Sequence, residues 1–370
     1  MPLLKRAGLA LAAVFSLGGA SLSAHGADAP AIPALTHCKP AGECTHKIPV
    51  KVVVMTLFEI GQDAGDAPGE FQLWKQRRKL DVRIPFPQGY HDLYYNPESQ
   101  ILGMVTGIGT SKSTGAAMAL GLDQRFDLSK AYFLVAGIAG IDPEDASIGS
   151  AAWARYVVDG DLAHEIDARE IPADWKYGYF PRYRHGPNDL RPIEPTGELF
   201  EVNPALVNWA YGLTKDTKLP DDAGIQAMRA QYIGYPNAQK PPFVLIGDQL
   251  AAMTFWHGKL MNDWANHWTQ YWTAGKGNFV TSAMEDSGIM QSLIYLDKAG
   301  RVDKDRVLVL RSGSNYSMPP TGVSAAENLL RENEGYAGMT ASLESLYIVG
   351  STVVDELLAN WAKYEAAPPQ

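Results

Sequence analysis

The sequence predicts an α/β chain built as a three-layer domain around a largely parallel or mixed central sheet. Three observations carry that expectation. Short apolar runs recur along the chain, and each gives way to small residues. The runs are continuous rather than alternating, as strands covered on both faces must be. Between them lie segments whose apolar residues return at helical spacing.

Taken in order, the runs are Val50–Leu57, Ile101–Val105, Ala131–Val135, Phe243–Ile246, Phe279–Ser282 and Val307–Leu310. The helical segments are Ser111–Leu122, Pro204–Leu213 with Trp209, Ser287–Asp297, and a last long one over Leu343–Tyr364. Residues 167–242 are rich in Pro, Tyr and Trp and poor in periodic runs. They read as an excursion carrying short helices, in a position to cover a site. The domain is expected over 48–370.

The amino terminus reads differently. Lys5 and Arg6 precede an apolar run, Ala7–Ala20, followed by small residues with Ala24, Ala27 and Ala29 as cleavage positions. That is the layout of a secretory signal over residues 1–27, and the run is short of the roughly 20 residues a membrane span needs. The mature chain is therefore expected to be exported, periplasmic or secreted, with no membrane span. In the 28–47 segment, Cys38 and Cys44 are the only two cysteines, and an oxidising compartment would join them as a local disulfide.

Composition excludes several classes. With 46% hydrophobic and 20% charged residues the chain is neither disordered, collagenous nor a coiled coil. Its 32 basic against 41 acidic residues give a net charge of −9, which argues against a nucleic-acid partner. No HExxH spacing is present, so His257 and His267, among Trp256, Trp264 and Trp268, read as packing histidines and no metal is expected. Asp63, Asp66 and Glu70 lack EF-hand spacing and read as a solvated acidic loop. No Gly-x-Ser-x-Gly elbow occurs. No cofactor is expected.

Ligands in open α/β sheets bind where strands end, so the residues after each run are the candidates. Glu59 follows the first. Thr106-Gly107-Ile108-Gly109 follows the second, a turn that lets backbone N–H groups approach an anion or a sugar. It lacks both the Walker A lysine and the third glycine of a dinucleotide fingerprint. Ala136-Gly137-Ile138-Ala139-Gly140-Ile141-Asp142-Pro143 closes the third run. Gln249 and Leu250 follow the fourth, with Phe255 beyond them able to stack a flat ligand or join a core cluster. Ala283-Met284-Glu285-Asp286 and Arg311-Ser312-Gly313-Ser314-Asn315 end the last two.

In this order the motifs resemble the purine nucleoside phosphorylase and methylthioadenosine nucleosidase superfamily. The long excursion and the Met-Glu-Asp-Ser-Gly variant are similar to the narrower purine nucleoside permease family. The likeness covers about 48–363 and is weakest over 165–240. It implies a nucleoside phosphorylase-like fold and a purine nucleoside as ligand. It implies that Glu285 holds the ribose hydroxyls with Met284 against the sugar. Asn315, with Ser314 beside it, would face the purine N7. Gly137, Gln249 and Leu250 would line the base pocket, and Glu59 with Arg311 would position the attacking water. Thr106 and Gly107 would belong to the phosphate site of the phosphorylases. Relatives of this kind are often oligomers, so a homo-oligomer is expected from the resemblance alone.

Cleaving an N-glycosidic bond makes the sugar cation-like and the base anionic. Glu285 suits the first need. Asn315 can donate a hydrogen bond but no proton, and its oxygen can accept from N1–H, which suits 6-oxopurines. A carboxylate at Glu59 would repel phosphate and serve a water nucleophile. The expected function is therefore an exported enzyme hydrolysing (6-oxo)purine ribonucleosides to base and ribose. The alternatives are a phosphorylase with phosphate as co-substrate, its missing cation drawn from Arg77, Arg78 or Lys112, and a non-catalytic protein of nucleoside binding or uptake.

Overall fold

The computed structural model describes residues 46–332 and 335–370. The expected signal segment and the Cys38–Cys44 pair lie outside the described residues. A twelve-stranded sheet organises the rest, with two small two-stranded pairings outside it, Ile48–Pro49 with Phe126–Asp127 and Ala163–Glu165 with Tyr179–Pro181. Its strands are β1 (Val52–Thr56), β2 (Val82–Ile84), β3 (Leu93–Asn96), β4 (Ile101–Val105), β5 (Tyr132–Ile141), β6 (Ala151–Trp153) and β7 (Tyr156–Asp159). They continue with β8 (Leu199–Glu201), β9 (Val244–Ile246), β10 (Asp248–Ala251), β11 (Phe279–Ala283) and β12 (Val307–Tyr316). The main path runs β8-β7-β10-β11-β5-β1-β4-β3-β2, while β12 pairs with both β5 and β6, and β9 with β6.

The sheet is mixed. β1 lies parallel to β4 and β5, and β5 parallel to β12. β11 meets β5 antiparallel, and β2, β3 and β4 form antiparallel edges. Val52, Val53, Val54 and Met55 are all fully buried, which is why the sequence shows a continuous apolar run there.

The helices are α1 (Gln72–Arg77), α2 (Thr110–Leu122), α3 (Pro204–Thr214), α4 (Ala223–Arg229), α5 (Lys259–Trp272), α6 (Asp286–Lys298), α7 (Ala325–Glu332) and α8 (Met339–Ala359). α8 packs on β5 and β12 and also touches α1 and α3, whereas α2 and α6 pack on each other. α2 and α6 approach closely because Gly121 leaves room for Leu296; an added Cβ there would overlap its side chain. The long helix expected over Leu343–Tyr364 starts earlier and breaks at Asn360, where the backbone leaves helical angles before a short final helix, Trp361–Ala366.

Three strand readings are corrected. The run Phe243–Ile246 does not deliver Gln249 and Leu250 to the sheet edge. The chain breaks at Gly247 and resumes as a second strand, β10, so both residues sit mid-sheet. The excursion over 167–242 supplies β8, which pairs antiparallel with β7 at the sheet's edge. β12 runs on to Tyr316, so Arg311 and Asn315 lie on the strand rather than after it.

Candidate functional site

A cavity of about 290 Å³ opens where β1 and β11 end and where the second halves of β5 and β12 run. Its apolar wall comes from Leu57, Ile108, Ile138, Met284 and Met339, with Phe255 and Tyr336 as aromatic edges. Its polar groups include Glu70, Glu285, Arg311, Ser314 and Asn315, with the hydroxyl residues Thr254 and Ser282 also in the lining. Polar groups converging in an apolar hollow are the usual anatomy of a small-molecule site.

One guanidinium organises the polar end. Arg311 Nε and Nη2 donate to Asp286 Oδ1 and Oδ2 at 3.2 and 2.7 Å, a two-pronged pair. Nη2 also reaches Glu285 Oε2 at 3.1 Å, and Nη1 donates to the Ile138 carbonyl at 3.0 Å. Asp286 opens α6 and is fully buried, where a negative charge is favoured by the helix dipole. Glu285 accepts from the Gly109 N–H at 3.0 Å through Oε1. The anion that the glycine turn meets is thus the protein's own carboxylate.

Glu70 closes the cluster. Its Oε2 accepts from the N–H of Leu57 at 2.7 Å and of Phe58 at 3.3 Å, and its Oε1 from Ile138 at 2.7 Å. Gly137 makes the approach feasible. A Cβ there would overlap Arg311 Nη1 and Leu57 Cδ2 and stand 2.9 Å from Glu70 Oε1.

Six of the twelve residues given a site role from the sequence line this cavity: Glu285, Arg311, Asn315, Met284, Ser314 and Phe255. The rest do not. Glu59 turns back on its own loop, accepting from the N–H groups of Ile60, Gly69, Phe71 and Gln72, so its carboxylate ties down the start of α1. Glu70 stands in the place expected for Glu59, and the reading of Glu70 as a solvated residue is corrected by its 3% exposure. Thr106 is buried, donating its N–H to Thr56 and its hydroxyl to the Gly107 carbonyl, and neither Thr106 nor Gly107 lines the cavity. Gln249 joins β10 to β11 through a 2.5 Å bond from Thr281 Oγ1, and Leu250 belongs to the tryptophan-rich core. Gly137 lies behind the wall, under Arg311.

A family model described as purine nucleoside permease matches residues 49–369. The chain belongs to the purine nucleoside permease family. It is 32% identical over 324 residues to the purine nucleoside permease of Candida albicans, covering 85% of this chain and 77% of that one. It is 31% identical over 283 residues to a protein of Schizosaccharomyces pombe named a probable purine nucleoside permease, covering 74% of this chain and 80% of that one. Among solved structures, the 5′-methylthioadenosine/S-adenosylhomocysteine nucleosidase of Neisseria meningitidis aligns with a TM-score of 0.48 at 12% identity, covering 82% of this chain and 99% of that one. The futalosine hydrolase of Helicobacter pylori aligns with a TM-score of 0.48 at 14% identity, covering 83% and 98%. Among the described residues of this family member, no helix is long and apolar enough to cross a membrane.

The charges of the permease-family site are lopsided. Three carboxyl groups, Glu70, Glu285 and Asp286, surround one guanidinium. Burial pushes Glu70 up to about 8 against the pull of Arg311, and the neighbouring Glu285 adds to the rise. Burial also raises Asp286, again opposed by Arg311. Burial works against the charge on Arg311, yet Asp286, Glu285 and Glu70 together hold it above its ordinary value. The cations considered from the sequence for a phosphate site are engaged elsewhere. Arg77 pairs with Glu344 at 2.6 Å, Arg78 with Asp355, and Lys112 Nζ lies 5.1 Å from the centre of the Tyr90 ring. None of them lines the cavity.

Asn315 stands at the other end. A register shift between Gly313 and Asn315 spends one residue against β5, so the consecutive Ser314 and Asn315 both reach the cavity where a regular strand would alternate faces. A smaller cavity of about 140 Å³ adjoins, sharing Asn315 and Tyr336 and lined also by Tyr232, Asn328 and Glu332. The excursion reaches this second hollow, through Met228, Gln231 and Tyr232, rather than the first. His257 Nε2 lies 3.2 Å from Asn328 Nδ2, and His267 Nδ1 lies 3.0 Å from the Tyr177 hydroxyl.

Proposed function

We propose that this protein hydrolyses the N-glycosidic bond of purine nucleosides, releasing base and ribose, and that it does so as an exported enzyme. The observation that supports it best is Glu70. It is a buried carboxyl group at the cavity wall, held by three backbone N–H groups and raised close to neutrality. That is the poise a general base requires.

In this reading water attacks C1′ and gives its proton to ionised Glu70, while the C1′–N9 electron pair leaves with the base as a purine anion, which takes a proton from solvent as Glu70 releases its own. Glu285 holds the ribose hydroxyls, and its charge favours the cation developing on the sugar. Arg311 keeps Glu285 and Asp286 in place. Asn315 hydrogen-bonds the base but supplies no proton. Phosphorolysis is disfavoured, because a phosphate dianion would face carboxylates, and the cavity's one guanidinium among the described residues, Arg311, is already engaged by them. Each pair of like charges at 4 Å costs about 4 kcal/mol at an effective dielectric of 20.

The names of the relatives favour a second reading, in which the protein binds nucleosides for uptake and leaves them intact. One assay separates the readings. The protein is incubated with inosine, guanosine and adenosine, each with and without phosphate, and the sugar product is identified. Free ribose in the absence of phosphate is the expected result. Ribose 1-phosphate formed only with phosphate would move the assignment to a phosphorylase, and saturable binding with no product would favour the uptake reading.

A further inference from the structure

The Asn315 carboxamide bridges the two adjoining cavities, and its partners fix which end faces which. Nδ2 lies 3.4 Å from Glu332 Oε2 and 3.4 Å from the Tyr316 carbonyl oxygen. An ionised carboxylate and a carbonyl are both acceptor-only, so the amide end between them must be the NH2. Oδ1 accepts from Ser314 Oγ at 3.0 Å. Glu332 lines the smaller cavity and Ser314 the larger, so the nitrogen end points to α7 and the oxygen end lies on the substrate side.

We propose that Glu332, carried on α7, is a positioning residue for base recognition. By holding Nδ2 it leaves Oδ1 of Asn315 to meet the base, which places the N1 edge there in place of the N7 that the resemblance implied, because a carboxamide oxygen would repel the bare N7. An oxygen at that point accepts from N1–H and repels a bare ring nitrogen. It therefore selects 6-oxopurines, which carry N1–H, over adenine, whose N1 is an acceptor. Turning the amide over would set Oδ1 against two acceptor oxygens, and Glu332 is one of the two.

Glu332 is itself held for this task. Asn328, one turn earlier on α7, donates to Glu332 Oε1 at 3.0 Å. The titratable groups facing the Glu332 carboxylate are the phenols of Tyr232 and Tyr336. The adjacent cation, Arg331, is paired with Glu327. The helix brings little packing of its own, since none of its residues is buried. Its polar contacts to Asn315 and, through Asn328, to His257 therefore fix its place over the cavity. Partial burial pushes the Glu332 carboxyl up to about 7, so it is half ionised at neutral pH and mostly ionised at pH 8.

The inference rests on the proposed nucleoside specificity, and the test separates the two. At pH 8, kcat/KM for inosine and for adenosine is measured on the wild type, Glu332→Ala and Glu332→Gln, with Kd for both nucleosides by calorimetry. The wild type is expected to favour inosine at least tenfold. Glu332→Ala should shrink that ratio about tenfold or more, because the amide is freed to turn. Glu332→Gln, whose amide oxygen still accepts from Nδ2, should keep it. An unchanged ratio in Glu332→Ala, an equal loss on both nucleosides, or a wild-type preference for adenosine overturns this inference and leaves the cleavage reading standing. A wild type that binds both without turnover tests the inference on the Kd ratio alone and overturns hydrolysis. A wild type that neither binds nor cleaves either nucleoside overturns both.

Discussion

Glu70 Oε2 accepts the backbone N–H of Leu57 at 2.7 Å, although the two residues are separated by 13 positions of chain. The loop between them folds back so that a side chain from its far end seals the end of β1. The same loop turns Glu59 inward on itself. Two glutamates close in sequence thus have opposite employments, one in the cavity wall and one holding the backbone.

That division gives the first prediction. Glu70→Gln should lower kcat for nucleoside hydrolysis by roughly 10²- to 10⁴-fold, the ordinary worth of a general base. Glu59→Ala should instead cost on the order of 1–2 kcal/mol of stability, as loss of a helix-start acceptor does. Its kcat per folded molecule should fall far less. Steady-state rates beside thermal melts decide the matter, and equal rate losses in the two variants would refute the assignment.

The pH profile follows from the raised carboxyl of Glu70. The base form is the ionised one, and its proton is held up to about pH 8. Hydrolysis should therefore rise with pH, with kcat/KM reaching half its plateau near 8. The Glu70→Gln variant should lose that rise. A wild-type profile already flat from pH 6 upward would speak against Glu70 as the base.

Phosphate should not accelerate the reaction. Four of the five N–H groups of the cavity's guanidinium are spent on Asp286, Glu285 and the Ile138 carbonyl, so its charge is already neutralised before a dianion could enter. Titrating phosphate into the inosine reaction should leave the rate and the ribose yield unchanged. A hyperbolic rise in rate with phosphate, accompanied by ribose 1-phosphate, is the contrary outcome.

Gly137→Ala tests the packing beneath the cluster. The added methyl has no space beside Arg311, Leu57 and Glu70, and overpacking of this kind costs about 1–3 kcal/mol. The expected result is a lower Tm together with a strong loss of turnover. Gly115→Ala on α2 is the control, since nothing lies within 4 Å of an added Cβ there.

The strands buried on both faces were the legible part of the fold, because Val52–Met55 or Val307–Leu310 can satisfy no other environment. The short edges Val82–Ile84 and Leu93–Asn96 were not legible, since three or four residues are too few to show alternation. In the site, Glu285 and Asn315 could be found because each sits near a strand end or strand-to-helix turn that a local rule identifies, and Arg311 because the apolar run stops at its charge, although β12 itself continues past it. Glu70 and Glu332 could not. Both reach the site region from loops or surface helices through contacts made in three dimensions, and nothing in Pro68-Gly69-Glu70-Phe71 or in α7 marks them. Gln249 misled for the opposite reason: a glycine that looked like the end of a strand was a break between two.

Arg311 bonds directly to stretches around residues 138 and 285–286 from its own place on β12, and its charge also acts on Glu70. No part of that arrangement can loosen without freeing a charge in the interior. The cluster therefore has no local opening of its own and should come apart only when the whole domain does. Loss of catalysis in a denaturant series should coincide with the global unfolding transition instead of preceding it, making turnover a gauge of the intact molecule.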